Sequence, residues 1–467
     1  MRCGRRRVSF LVLTACVPLM GACGGDDGAG ADAIEGSGDG AADGDSGRNE
    51  DIGGDGEADL SAEAEEETGE DATLDADSGA EGDAGDAAEA DTGTGDEEWL
   101  WRALRGEITP EEALHAVAYS GGWPIRTDDG YLFARLDDGG GPYELAGDHT
   151  GWSAVDMTLD HGLWWVRSAV PDPAGSRYKF VDGAGGYGAD PMARNFGYDS
   201  FGEYSLVAPD GPHLERWPDL GDGVVQPRDL RVWVPAGTPR RHLYVHDGQN
   251  LFDPAAPWGG WHLQEALGPE TLAVGIDNTT DRLDEYTPVQ DEAGGVPIGG
   301  RGDEYADFVE ETVRPLIETR YGTPEQVGVL GSSLGGLIAF HEATRFPGAY
   351  DFAASMSGTF GWGSMELTNE TLIDRAAAGG HGTTVLYLDS GGGPGSGCID
   401  LDGDGIQDDS PDAADNYCET RQMADTLAGA GYVWDVDLFH WWEADAPHNE
   451  AAWAARVGRP VGIFEGL

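Results

Sequence analysis

The chain has 467 residues, enough to bury a large core and to hold more than one domain. Its 87 aspartates and glutamates against 27 lysines and arginines give a formal charge of −60. That balance excludes nucleic acid as a partner, because binding a phosphate backbone needs basic surface.

In chain order, Arg5, Arg6 and Arg7 precede VSFLVLTACVPLMGAC, an apolar stretch too short and too interrupted for a good membrane span. Residues 1–23 resemble a bacterial lipoprotein signal. Cys16, in LTAC, is one candidate for lipid attachment. Cys23, directly before GGDDG, is the expected one. Residues 24–97 are nearly all Gly, Ala, Asp, Glu, Ser and Thr, a composition that cannot bury enough apolar area to offset its chain entropy. They read as an extended acidic linker. The expected protein is exported and held to a membrane only by its N-terminal lipid, facing the periplasm or the cell surface.

Residues 98–210 begin with a helix signal, TPEEALHAV, and continue as short alternating runs such as YLFARL, LWWVRSAV and RYKFV separated by Gly, Asp and Pro turns. The pattern suggests a small β-sandwich. LAGDHTGW, LWWVRSAV and GADPMARNFGYDSFGEYSLV resemble the early-set, carbohydrate-binding-module-like sandwiches that precede some esterases. Trp152, Trp164 and Trp165 either stack on sugar rings or fill the sandwich core.

From residue 220 to 467, strand-like runs (DLRVWVP, HLYVHDG, TLAVGID, VGVLG, YDFAASMSG, TTVLYLD, WDVDLFH) alternate with helical ones such as EYADFVEETVRPLIETRYG. This predicts an α/β fold, a mostly parallel sheet flanked by helices. Near its middle, Gly331, Ser332, Ser333, Leu334 and Gly335 fit G-x-S-x-G with Ser333 central, after an apolar strand and before the helix LGGLIAFHEATRF. That context is a nucleophile elbow: the glycines allow a sharp turn, and the Leu334 amide at the helix start can stabilise an oxyanion. A nucleophilic serine needs a base and an orienting acid, in the chain order Ser, acid, His for this fold class. Of the histidines after the elbow helix, His381 precedes a strand, His440 ends one, and His448 lies on a loop before a C-terminal helix, where that order places the base.

YVHDGQNLFD, VGIDNTTDRLDEYTP, GVLGSSLGG and the terminal HNEAAW together resemble the Putative esterase family, which includes enterochelin esterases, feruloyl and acetyl-xylan esterases and mycolyltransferases. The resemblance spans about residues 225 to 467. It implies an α/β-hydrolase fold with Ser333 as nucleophile and His448 as base. It also implies a second oxyanion amide from the loop of His246, Asp247, Gly248 and Gln249, taken here as Gly248 and Gln249. His246, Asp247, Arg282, Glu285 and Tyr286 are read as pocket-shaping. For the acid, Asp389 at the end of VLYLD is the expected residue and Asp415 the alternative.

The segment CIDLDGDGIQDDSPDAADNYC adds two features. Cys398 and Cys418 form an even pair expected to be disulfide-bonded in an oxidising compartment. Asp400, Asp402, Asp404, Ile406 (through its carbonyl) and Asp408 occupy positions 1, 3, 5, 7 and 9 of a calcium-type loop, although Pro411 stands at position 12 where a calcium hand has Glu. The expectation is a structural Ca²⁺ and no cofactor for catalysis. The expected activity is hydrolysis of a carboxylic ester through an acyl-enzyme. The substrate would be a small molecule or glycan-linked, either a feruloyl or acetyl ester of a polysaccharide or a siderophore lactone. Acyl transfer by the same intermediate, or a lapsed glycan-binding protein, are the alternatives.

Overall fold

The computed structural model describes residues 94–407 and 415–467. The signal segment with Cys16 and Cys23, the linker up to residue 93, and Asp408 and Pro411 lie outside the described residues.

Two helices, Thr94–Leu104 and Pro110–Ala118, come first. The second opens on a capping box: Thr109 Oγ1 accepts from the Glu112 amide (3.1 Å) and Glu112 Oε2 from the Thr109 amide (2.7 Å). Both helices pack on a four-stranded sheet through a cluster that includes Leu100, Leu114, Val117 and Leu132. Tyr131 and Phe133, on the other face of its strand Gly130–Leu136, meet Leu145, Tyr178 and Phe180 of a second sheet. The two sheets are therefore packed face to face. Trp164 and Trp165 lie against these cores, whereas Trp152 is 38% exposed.

The second sheet continues past residue 220. Strand His213–Leu220 pairs antiparallel with the first strand of the C-terminal part, so one 14-stranded sheet crosses the boundary drawn from sequence. Within the C-terminal part the strands are β1 (Arg228–Val234), β2 (Arg241–His246), β3 (Thr271–Ile276), β4 (Gln326–Ser332), β5 (Phe352–Met356), β6 (Val385–Ser390) and β7 (Leu438–Trp442). Their order is 7-6-5-4-2-3-1, with β2 to β7 mutually parallel and β1 antiparallel to β3. The sheet as a whole is therefore mixed, and it is parallel only where the elbow sits. β3 and β5 are buried at every position because helices cover both faces.

The helix predicted over EYADFVEETVRPLIETRYG is present as Gly302–Phe308 and Arg314–Tyr321 joined by a π-turn at Val309–Val313. Pro315 has no N–H to donate and its ring crowds the carbonyl of Glu311; widening the preceding turn accommodates both. Among the described residues, no helix is long and apolar enough to cross a membrane.

One topological fact positions the site. β2 has β3 on one side and β4 on the other, so the loops leaving β2 and β4 diverge. A crevice opens at such a switch point, outside the carboxyl ends of the strands. Ser333 follows β4 and Asp247 follows β2.

The frame glycine Gly331 is a steric requirement. A Cβ there would run into the carbonyl of Gly335, and neither backbone can yield. Gly331→Ala should lower the melting temperature and abolish any activity of the elbow. Gly462→Ala, on the exposed face of the last helix with open space around it, should be neutral or stabilise by about 0.5–1 kcal/mol. Thermal denaturation of the two variants, showing equal behaviour, would contradict this.

Candidate active site

Ser333 stands between β4 and helix α1 (Leu334–Arg345) at φ 56° and ψ −124°, a conformation that non-glycine residues rarely adopt. Its amide donates to the Met356 carbonyl (2.9 Å), while its own carbonyl accepts from Gly336 (3.0 Å) and Leu337 (3.1 Å) and starts the helix. Ser332 still belongs to the strand, in register with Met356. Ser333 is thus the residue at the turn. It is 3% exposed, and its Oγ has no hydrogen-bond partner among the described residues.

His448 lies on the loop before helix α3 (Glu450–Arg456). Its Nδ1 is 2.7 Å from Asp415 Oδ1, and its Nε2, like Ser333 Oγ, is buried without a partner among the described residues. An imidazole held at Nδ1 by a carboxylate presents Nε2 as the proton acceptor. The Ser333–His448 hydrogen bond is not formed in this structure; such bonds often close only around a substrate.

The expectation for Asp389 is corrected here. Its Oδ1 takes the Arg456 guanidinium (3.0 and 3.2 Å) and its Oδ2 the Tyr387 hydroxyl (2.9 Å), so both oxygens are committed away from His448. Burial raises its carboxyl to about 6, in spite of the arginine. Asp415 instead arrives from within the Cys398–Cys418 segment, two residues before helix α2 (Tyr417–Gly429), through two consecutive left-handed residues, Asp415 (φ 63°) and Asn416 (φ 53°).

The amides expected to serve as oxyanion donors come from two elements. Leu334 begins α1, so its amide has no intrahelical acceptor. The loop after β2 turns at Asp247, itself left-handed (φ 61°, ψ 47°), into the short 3₁₀ turn Gly248–Asn250. The first amides of that turn, those of Gly248 and Gln249, are likewise beyond intrahelical reach. Asp247's carboxylate is gripped by Arg282 (2.7 and 2.8 Å) and Asn278 Nδ2 (2.5 Å). Burial alone would raise this carboxyl, but the arginine and the hydrogen bonds outweigh it and hold it below the usual range. The elbow and this loop touch: a Cβ on Gly335 would be 3.2 Å from Asp247 Oδ2 and 3.3 Å from His246 Cβ.

Three of the pocket residues read from sequence do not line an open pocket. His246 is fully buried with Nδ1 on the Tyr305 hydroxyl (2.9 Å), and burial pushes its ring down to about 3. Glu285 is buried in a two-oxygen pair with Arg228 on β1 (2.9 Å each). Tyr286 is buried, its hydroxyl accepting the Asp247 amide (3.2 Å). His246 and Tyr286 brace the Asp247 loop, and Glu285 is held by Arg228 instead of meeting that loop. Sequence reading also missed Glu450, 8% exposed, whose Oε1 accepts from Asn250 Nδ2 (3.2 Å). Its place two residues after His448 in HNEAAW was the available signal.

Cys398 and Cys418 are disulfide-bonded, with Cα atoms 5.4 Å apart. Inside the ring, Asp400, Asp402 and Asp404 each bring one oxygen to within 4.8 Å of the others. Asp400 also accepts from the amides of Gly403 (2.5 Å) and Gly405 (3.1 Å), which fixes its carboxylate. Such hard oxygen donors suit Ca²⁺. The side chain of Ile406 is buried in the main core, and its amide donates to Asp404 Oδ1 (2.8 Å).

The Putative esterase family matches residues 224–459. A Bacillus subtilis protein of uncharacterized function, YbbA, is 32% identical over 126 residues, 25% of this chain and 49% of that protein. The siderophore triacetylfusarinine C esterase of Aspergillus fumigatus is 31% identical over 141 residues, 27% of this chain and 47% of that protein. The chain thus spans about half the length of these curated relatives. Among solved structures, the enterobactin esterase FES of Shigella flexneri aligns with 72% of this chain and 92% of its own at 15% identity, with a TM-score of 0.40.

The two carboxylates predict different phenotypes. Asp415→Asn should reduce kcat by about 10³–10⁴-fold with the fold intact, as loss of a triad acid does. Asp389→Asn strands a buried arginine, a change worth about 3–5 kcal/mol of stability, while the folded fraction keeps most of its kcat. Paired kinetics and urea unfolding on both variants would expose a reversed assignment.

Proposed function

The chain belongs to the Putative esterase family, and on that premise we propose that it is a serine hydrolase of carboxylic esters that works through an acyl-enzyme. One observation carries the reading: a left-handed serine at the carboxyl end of a central parallel strand, in a fold that also holds a histidine on a buried aspartate and leaves Ser333 Oγ and His448 Nε2 buried with no partner among the described residues.

In this reading Ser333 Oγ attacks the ester carbonyl as its proton passes to His448 Nε2, and Asp415 stabilises the resulting imidazolium. The carbonyl oxygen, now negative, meets the amides of Leu334 and of Gly248 or Gln249. His448 returns the proton to the leaving alkoxide. It then draws a proton from water, which attacks the acyl carbonyl and frees Ser333. These steps need side chains, amides and water, and no cofactor.

The substrate we propose is a siderophore-type ester, in keeping with the name of the Aspergillus relative. A feruloyl or acetyl ester on a polysaccharide is the comparison substrate. Export with lipid attachment at Cys23 agrees with the Cys398–Cys418 disulfide, since such bonds persist in oxidising compartments. We also propose a structural Ca²⁺ on Asp400, Asp402 and Asp404, which would relieve the mutual repulsion of three neighbouring carboxylates.

Two measurements test these proposals. Ser333→Ala should lower kcat on a short-chain nitrophenyl ester by about five to six orders of magnitude; equal rates for variant and wild type would end the serine-hydrolase reading. Adding a Ca²⁺ chelator should lower the melting temperature, and excess Ca²⁺ should restore it. A melting curve indifferent to both would remove the metal.

A further inference from the structure

Behind Asp415 lies a serine that neither the sequence reading nor the family match singles out. Ser357, directly after β5, is fully buried and left-handed (φ 52°). Every polar group it owns is used. Its amide donates to the Asp389 carbonyl (2.7 Å), and its carbonyl accepts from Asn416 Nδ2 (2.9 Å). Its Oγ has three neighbours: Trp453 Nε1 at 3.1 Å, Arg456 Nη2 at 2.8 Å and Asp415 Oδ2 at 2.7 Å.

A hydroxyl has one proton to give and two lone pairs to receive. The indole N–H and the guanidinium are donors only, so they occupy both lone pairs. The serine proton then has a single destination, Asp415 Oδ2. We infer that Ser357 is a positioning residue: its hydroxyl, locked by Trp453 and Arg456, donates to Asp415 and holds the opposite carboxylate oxygen on His448. This inference rests on the serine-hydrolase reading above.

The geometry ties together three segments that the chain keeps apart. Asp415 comes from the disulfide-closed loop, Ser357 from the end of β5, and Trp453 and Arg456 from α3. The Trp453 ring also packs edge-on against the His448 ring, with centroids 5.0 Å apart. Base and acid thus share one support, and the Ser357 hydroxyl is its junction. The Gly391 amide is a second donor to Asp415 Oδ2, so losing Ser357 should loosen the acid without releasing it.

The test uses the full chain with Ser357→Gly and Ser357→Ala. Glycine suits the left-handed backbone, so Ser357→Gly removes the hydroxyl with little conformational penalty. For both variants kcat on a nitrophenyl ester should fall about 10- to 100-fold with KM unchanged, the scale seen when a supporting hydrogen bond is removed. Ser357→Gly leaves the buried Trp453 indole without its acceptor, so its melting temperature should fall by a few degrees, and by less than that of Ser357→Ala, whose side chain must hold the left-handed backbone. The downfield proton resonance between His448 Nδ1 and Asp415, identified by its absence in Asp415→Asn, should move upfield or broaden in both. An unchanged kcat in Ser357→Gly, or an unmoved resonance, overturns the inference. Comparing wild type with Ser333→Ala judges the nucleophile separately, because the resonance reports on Asp415 whether or not Ser333 reacts.

Discussion

A carboxylate without solvent must be surrounded by donors, and the arrangement around Asp415 follows from that constraint. One oxygen takes His448, the other takes Ser357 and the Gly391 amide, and the Arg456 guanidinium stands 3.6 Å away. An ion stripped of water would otherwise cost several kcal/mol. The surroundings that make the charge tolerable also fix its direction. The carboxylate cannot rotate without breaking a hydrogen bond that has no substitute from water. The same donors converge from β5, from the turn after β6 and from α3, so the sheet register decides where the histidine stands.

The opposite wall of the crevice uses the same physics with another pair. Asp247 sits in a left-handed turn, and its carboxylate is clamped by Arg282 and Asn278. Beneath it, Glu285 binds Arg228, Tyr286 takes the Asp247 amide, and His246 reaches Tyr305. Removing any one of them would leave a buried group unpaired, which costs about 1–3 kcal/mol or more when it is charged. The loop is thereby anchored through the buried His246 and Asp247, while Gln249 and Asn250 remain half-buried.

Parts of this were legible in the sequence for definite reasons. Ser333 was legible because only glycine can stand at Gly331 and because an apolar strand and a helix flank it. The loop position of His448 before a helix was legible from HNEAAW. The acid was not, because about twenty-five residues separate the end of β6 from Asp415, and that insertion detaches the acid from the strand end where pattern places it. Asp389 looked suitable until its partner was known, and a pairing with Arg456, 67 positions away, leaves no local trace. The continuous sheet was hidden for a similar reason: a turn between His213–Leu220 and β1 reads the same whether or not it crosses a domain boundary. Trp164 and Trp165 were ambiguous as single residues. Only the packing of two sheets and two helices shows them to be core-side.

Asp415 lies within the covalent ring closed by Cys398 and Cys418, three positions before the second sulfur. Closing a ring of this size restricts the unfolded loop by about 3 kcal/mol in the chain-entropy account. The placement of Asp415 therefore depends on thiol chemistry as well as on packing. With the two thiols reduced, Ser333 would still be held between its strand and helix and His448 on the loop before α3, while Asp415 searched a wider volume. Completion of the Asp415–His448 pair would then follow oxidation of the two cysteines.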